Sequence, residues 1–217
     1  MCIGGNDMQV LNLYSGSWLS NCYVLISNDS NGSAHAAVVD PSAPTEKILD
    51  ALKKHNAKLD MIIMTHGHFD HIISLDELRR TTGATVLIHR DDNEMLSDSM
   101  KNAYSFFFGG TLVLQKADRL LEDGDAIRLG TDTLKVMHLP GHSKGSIALL
   151  CDGMIITGDT LFAEGFGRYD LYGGDLIVLK NSLKSLRTLD KSLTVYAGHG
   201  ENARLGRALD AISYFLD

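Results

Sequence analysis

Short apolar runs separated by Ser, Asn and Gly clusters fill the first forty positions. QVLNLY (9–14), NCYVLIS (21–27) and AHAAVVD (34–40) have this form, which predicts strands. Pro41 and Pro44 close the region. From Thr45 to Asn56 the spacing lengthens, with Ile48, Leu49 and Leu52 on one helical face. LDMIIMTH (59–66) is a continuous apolar run, the signature of a strand buried on both faces. ISLDELRRTTG (73–83) predicts a helix stopped by Gly83. TVLIHR (85–90) predicts a strand, and DDNEMLSDSM (91–100) a further helix.

The second half returns to strands at DAIRLG (125–130), TLKVMHL (133–139), SIALLCD (146–152) and GMIITGD (153–159). FAEGFGRYDLYGGD (162–175) reads as a long Gly-rich loop, LIVLKNSLKSLRTL (176–189) as a helix and LTVYAG (193–198) as a strand, with a last helix over about 202–216. Between the halves, YSFFFGGTLVLQK (104–116) breaks the pattern. Three phenylalanines before Gly109-Gly110 predict a loop with an apolar surface, which is either one wall of a substrate cleft or a homodimer contact. The chain shows no linker and no short repeat, so a single domain over 1–217 is expected.

Composition narrows the classes. At 217 residues and 44% hydrophobic, the chain can bury a sizeable core. A net charge of -7 without a Lys/Arg cluster argues against nucleic acid or an anionic membrane as partner. No apolar run approaches the roughly 20 residues of a membrane span. The start, MCIGGNDMQV, has neither a basic n-region nor an apolar h-region, so no export signal is read. Cys2, Cys22 and Cys151 are odd in number and widely spaced, which fits a reducing cytoplasm.

The chemistry concentrates just after the apolar run. His66, His68, Asp70 and His71 fall within six positions. Imidazole and carboxylate are the ligand set of zinc and similar divalent ions. Alternate residues of an extended loop point the same way, so His66 and His68 can reach one ion, with Gly67 adding no bulk between them. Asp70 and His71 lie beyond a turn and point elsewhere. His142, Asp159 and His199 each follow an apolar strand, where loops from one end of a sheet converge. Asp159 is the spare carboxylate, able to bridge two ions, and ions about 3.5–4 Å apart can hold a bridging hydroxide. The other histidines read as structural: His35, His55 and His89 lack partners in the pattern, and His138 packs or hydrogen-bonds behind the site. Arg168 and Asp170 read as a pair that stiffens their loop, Lys144 as solvated, and Cys22 and Cys151 as buried hydrophobes.

THGHFDH (65–71), PGHSKGS (140–146), TGDTLF (157–162) and AGHG (197–200) resemble, in order, the successive motifs of the metallo-β-lactamase fold superfamily, over nearly the whole chain. NCYVL (21–25), VVDPSAP (38–44) and GFGRYDLYGGD (165–175) resemble its small, single-domain glyoxalase II-like branch, the hydroxyacylglutathione hydrolases. Leu139, Tyr172 and Glu201 depart from that branch without removing a ligand. The resemblance implies an α/β fold, a four-layer αββα sandwich with the site at one edge of the paired sheets. It implies His66, His68 and His142 on one ion, Asp70, His71 and His199 on a second, and Asp159 between them. The ions would be divalent, zinc first, with iron or manganese as alternatives. The implied activity is hydrolysis of a small-molecule acyl thioester by a bridging hydroxide, with Asp70 as the catalytic residue that orients it. A thiolate leaves without a strong acid, since thiol pKa values lie near 8.5. The alternative within the same motifs is a mononuclear iron dioxygenase acting on a persulfide. Lactonases of the fold carry a tyrosine where Phe162 stands here.

Overall fold

Two six-stranded sheets carry the molecule, seen in a computed structural model that describes residues 8–13 and 19–216. Cys2 and Tyr14, the last residue of the first predicted strand, lie outside the described residues. The chain runs β1 (Gln9–Asn12), β2 (Tyr23–Asn28), β3 (Ala34–Val39), α1 (Thr45–Lys54), β4 (Ala57–Ile63), α2 (Phe69–Ile72), α3 (Leu75–Thr82), β5 (Thr85–His89), α4 (Tyr104–Phe108) and β6 (Arg119–Leu121). It continues through β7 (Ala126–Leu129), β8 (Asp132–His138), β9 (Ile147–Cys151), β10 (Met154–Gly158), the small hairpin β11 (Leu161–Phe162) and β12 (Gly165–Phe166), α5 (Leu176–Ser185), β13 (Thr194–Ala197), β14 (Ala203–Arg204), α6 (Leu205–Ala211) and α7 (Ser213–Leu216). The first sheet is ordered β1-β2-β3-β4-β5-β6 and the second β14-β13-β10-β9-β8-β7.

Three apolar cores define four layers. Tyr23, Leu25, Val39 and Ile63 of the first sheet meet Ile127, Leu134, Leu149 and Ile156 of the second. On the outer face of the first sheet, Val24, Val38 and Ile62 pack with Ile48 and Leu52 of α1 and Leu75 and Leu78 of α3. On the outer face of the second, Ile155 and Val195 pack with Leu179 and Leu183 of α5, Leu209 of α6 and Leu216 of α7. Alternate residues of β2, β3, β4, β9 and β10 serve opposite cores, whereas Arg128 of β7 and Thr133 and Lys135 of β8 are exposed. This is the four-layer αββα sandwich that the resemblance implies.

Several elements differ from the sequence pattern. Residues 91–100 form two 3-10 turns, Arg90–Asp92 and Met95–Ser97, rather than a helix. Asp, Asn and Ser side chains compete there for backbone groups: Asp98 accepts from the amides of Met100 and Lys101, and Asn93 from that of Ala117. The last helix is two, α6 and α7, broken at the buried Ile212. β6 has three residues, too short to show a period, and the β11–β12 hairpin sits inside the predicted Gly-rich loop. The 104–116 segment begins with a short helix, α4, closed by Gly109 in the left-handed conformation.

Strand directions place the site. β8 and β10 both run antiparallel to β9, and β13 runs parallel to β10. The C-terminal ends of β8, β10 and β13 therefore share one edge of the second sheet. The loop after β4 joins them from the first sheet, with the Ile147 amide donating to the Thr65 carbonyl at 2.9 Å.

Candidate metal centre

All seven residues singled out by the sequence meet at this edge. The ligand-type atoms form three overlapping groups: His66, His68 and His142; His66, His71 and Asp159; and Asp70, His71 and His199. His142 Nε2 lies 3.1 Å from His66 Nε2 and 2.9 Å from His68 Nδ1. The three rings stand near-perpendicular, at 80–82°, so their nitrogens converge rather than stack. Asp159 lies between the groups. Its Oδ1 is 3.3 Å from His71 Nε2, and its Oδ2 is 3.5 Å from His199 Nε2 and 3.7 Å from His142 Nε2. Asp70 Oδ2 is 3.1 Å from His199 Nε2 and 3.7 Å from His71 Nε2.

The outward nitrogens of His66, His71 and His142 are engaged elsewhere, which fixes what their inward ones can do, while His68 Nε2 is buried without a partner. His142 Nδ1 donates to the Arg168 carbonyl at 2.7 Å. His71 Nδ1 donates to Asp40 Oδ2 at 2.9 Å, and His66 Nδ1 lies 3.1 Å from Thr65 Oγ1. Thr65 Oγ1 in turn donates to Asp40 Oδ2 at 2.7 Å, and the Thr65 amide to Asp40 Oδ1 at 2.7 Å. The inward nitrogens of His66 and His142 are thus left with lone pairs. Lone pairs 3 Å apart repel unless a cation lies between them, and His71 Nε2 and Asp159 Oδ1 are buried with no hydrogen-bond partner. This donor set fits divalent cations, and the outer hydrogen bonds fix the ring orientations such ions require.

Electrostatics divide the centre in two. Burial, then the neighbouring histidines, pushes His66 well below its ordinary pKa. Burial and His142 bring His68 down to about 3. Burial also lowers His142. Burial thus disfavours the charged form of all three. Burial opposes the charge on His71, but Asp159, Asp40 and Asp70 outweigh it and hold its pKa well above the ordinary value. Burial would raise Asp159 and Asp70, yet the histidines around them, His71 first, lower both. One side of the centre is neutral imidazole and the other is ionised carboxylate.

Close backbone approach makes the packing possible. A Cβ on Gly67 would lie 2.6 Å from that of Met95, and one on Gly198 would lie 2.0 Å from Asp159 Oδ1. Asn21 holds the His199 loop from below, its side chain donating to the carbonyls of Ala197 and Gly200 at 3.0 Å each.

Two acids essential to this arrangement carry no signal as site residues in the sequence. Asp40 stands in VVDPSAP and orients two of the rings. Asp92 is fully buried and ties the two main loops together, accepting from the amides of Gly67 (3.1 Å) and Gly145 (2.7 Å) and the Ser143 hydroxyl (2.6 Å). Burial pushes its carboxyl up to about 6. The bland readings also find their places. Arg168 makes a two-pronged pair with Asp170 at 2.7 and 2.8 Å. His138 Nε2 bonds the Lys144 carbonyl at 2.8 Å. His35 does have partners, Asp60 and Asp29. Cys22 is buried, whereas Cys151 is only half-buried.

Two clefts open beside the centre. One, of about 430 Å³, is bounded by His68, Asp70, Asp159 and His199 and walled by Phe69, Phe107, Phe108 and Leu171. Phe107 and Phe108 thus lie where a cleft wall was expected, while Phe106 is 65% exposed and borders neither cleft. The other, of about 500 Å³, lies beyond His199 and is bordered by Phe162, Glu164, Glu201 and Arg207.

The family model described as the metallo-beta-lactamase superfamily matches residues 16–199. The Bacillus subtilis protein named "Probable metallo-hydrolase YqgX" is 34% identical over 184 residues, covering 83% of this chain and 85% of that one. Hydroxyacylglutathione hydrolase GloC of Haemophilus influenzae is 27% identical over 191 residues, covering 86% and 88%. Among solved structures, the BLEG-1 B3 metallo-beta-lactamase superposes with a TM-score of 0.84 at 30% identity, over 93% of this chain and 97% of that one. TTHA1623 in a di-iron-bound form gives 0.76 at 30%, over 91% and 96%. ETHE1 from Myxococcus xanthus gives 0.72 at 25%, over 94% and 85%.

Proposed function

The chain belongs to the metallo-beta-lactamase superfamily, and from that premise we propose that it is a dinuclear metallohydrolase that cleaves a small-molecule acyl thioester. His66, His68 and His142 would hold one divalent ion and Asp70, His71 and His199 the other, with Asp159 between. Ions bound there supply a polarised carbonyl and a water acidic enough to act as nucleophile near neutral pH. The residues do the rest. Asp70 Oδ2, facing the cleft beside His199, would orient a water there and accept its hydrogen bond. The outer bonds from Asp40, Thr65 and the Arg168 carbonyl keep the rings from turning.

The state of the carboxylates carries the choice of a thioester. Asp70 and Asp159 are both held ionised by their histidine neighbours, so neither is a ready proton donor to a departing group. An amine or alkoxide needs that proton. A thiolate does not, because its conjugate acid has a pKa near 8.5. The likeness to a protein named as a hydroxyacylglutathione hydrolase points the same way. Zinc is the ion we favour, with iron or manganese as alternatives given the di-iron form of one neighbour. A cytoplasmic setting suits the free Cys22 and Cys151.

The test is reconstitution with zinc, iron or manganese, elemental analysis, and turnover of S-lactoylglutathione beside a chromogenic β-lactam. Two ions per chain and thioester turnover are expected. A saturating stoichiometry of one, with Asp70 and His199 replaceable at no loss of metal, would sink the dinuclear reading. The likeness to ETHE1 keeps a second reading, a mononuclear iron persulfide dioxygenase. Oxygen uptake with a persulfide by the iron-loaded protein, and no thioester turnover, would decide for it.

A further inference from the structure

The two clefts that meet at His199 differ in chemistry, and the difference bears on which half of a substrate each can take. Phe69 lies between His68 and Asp70 in sequence and faces the first cleft, so any chain attached to a carbonyl at the centre meets its ring first. Phe107 and Phe108 extend the wall, with ring centroids 5.6 and 5.3 Å from that of Phe69. These rings are held in advance. The Tyr104 amide donates to Asn102 Oδ1 at 3.0 Å, and the Ser105 hydroxyl bonds the Gly110 carbonyl at 2.7 Å, so α4 is fixed at both ends. Yet Phe107 is 44% and Phe108 57% exposed. Large apolar surfaces left open beside a reactive centre mark a place where something apolar lies.

The charges at the rim fit the same occupant. Arg168 stacks its guanidinium 5.5 Å from the Phe107 ring and is matched by Asp170. Lys101 pairs with Glu94, whose other oxygen takes the Tyr172 hydroxyl. Lys144 lies with Lys101 over the Tyr172 ring, at 5.2 and 5.0 Å. Arg168 and Lys101 are each satisfied within the protein, so a carboxylate-bearing acyl group would have to displace an existing partner from them. The second cleft, bordered by Glu164, Glu201 and Arg207 together with Phe162 and Ala163, has mixed walls, less apolar than those of the first, and these suit a thiol carrier.

Resting on the thioester reading above, we infer that the acyl half of the substrate is an apolar chain of several carbons, laid against Phe69, Phe107 and Phe108, and that the thiol half leaves toward the second, more mixed cleft. The test is a series of N-acetylcysteamine thioesters, from acetyl through butyryl and hexanoyl to octanoyl, with the metal-loaded protein. kcat/KM should rise by up to about fourfold per methylene, the value of a buried methylene group, until the cleft is full. Replacing Phe107 and Phe108 together with Ser should at least halve the slope of log(kcat/KM) against chain length. Phe106→Ser should leave that slope unchanged. Calorimetric binding of the product carboxylates, butanoate to octanoate, reads the same slope without turnover. A flat profile in both series overturns the inference while leaving thioester hydrolysis standing. A profile flat in acyl length but steep in S-alkyl length reverses the two clefts and also overturns it. No turnover of any thioester, with carboxylate affinity still rising along the series, strikes the thioester reading and keeps the apolar wall.

Discussion

Among the described residues, two groups of histidines stand with an acid beside them, and one of the two is built like a metal site. At the centre, the rings of His66, His68 and His142 meet at 80–82° with nitrogens facing inward. Behind it, His89, Asp91 and His138 also lie close together. There the two rings are stacked, 4.0 Å apart at 14°, so their lone pairs run side by side and never converge. His89 Nδ1 accepts from the Asp91 amide and His138 Nε2 bonds a carbonyl, so each ring is used to hold backbone. Nearness of ligand-type residues is common. What makes a binding centre is convergence of the free atoms, with the opposite atoms tied from outside.

The sharpest way to break that contrast is to cut each group. Asp159→Ala should lose more than about 100-fold in metal affinity, beyond the effect of removing an outer hydrogen bond. His89→Ala and His138→Ala should stay within about twofold, read by titration against a chromogenic chelator. Equal losses in both groups would erase the distinction. Next in size, Asp40→Asn keeps the shape of the side chain but has one acceptor oxygen, so it cannot take the Thr65 amide on one side and the His71 and Thr65 side chains on the other. About 10- to 100-fold weaker metal binding is expected with the fold intact. Affinity within twofold of wild type would mean the rings orient themselves.

His89→Ala should show the opposite profile, unchanged stoichiometry with a loss of about 1–3 kcal/mol in stability from the emptied, mostly buried ring site. Urea unfolding measures it. The smallest effect belongs to a third setting, His35, where a 2.5 Å bond to Asp60, opposed in part by burial, raises the imidazole pKa. A raised folded pKa stabilises fully below the unfolded value of about 6.5 and fades as pH climbs through the folded one. The Tm gap between wild type and His35→Ala should therefore be widest in mild acid and shrink toward alkaline pH. A gap that grows with pH would contradict the assignment.

The seven central residues could be read from the chain because each sits where an apolar strand stops, and a polar ligand at that place is a local pattern. Asp40 and Asp92 could not be read as site residues in the same way. Each acts through bonds to groups far along the chain, Thr65 and His71 for one, Gly145 for the other, and nothing near them in sequence announces that. Asp92 was further hidden by its surroundings, since DDNEMLSDSM has the acidic start of a helix while its Asp and Asn side chains bind backbone instead. Most strands and helices followed from their periods, whereas the αββα layering came from the resemblance. β6 did not follow from a period, because Arg119–Leu121 owes its place to pairing with β5, a non-local fact. The aromatic run at 104–116 showed itself as apolar surface, but which of its rings face the centre depends on how Ala103 and Gly109 turn the chain.

The centre also joins the sheets. His66 belongs to a loop of the first sheet and His142 to a loop of the second, and their facing nitrogens are 76 positions apart in the sequence. An ion shared by both rings is a reversible cross-link closing a long loop, comparable in effect to a disulfide of that span, about 4 kcal/mol by chain-entropy reckoning. Stripped of its ions, the molecule should begin to unfold along this edge, with the two sheets parting there first and staying together longest at the far side, where Thr131 donates to the carbonyl of Asn28.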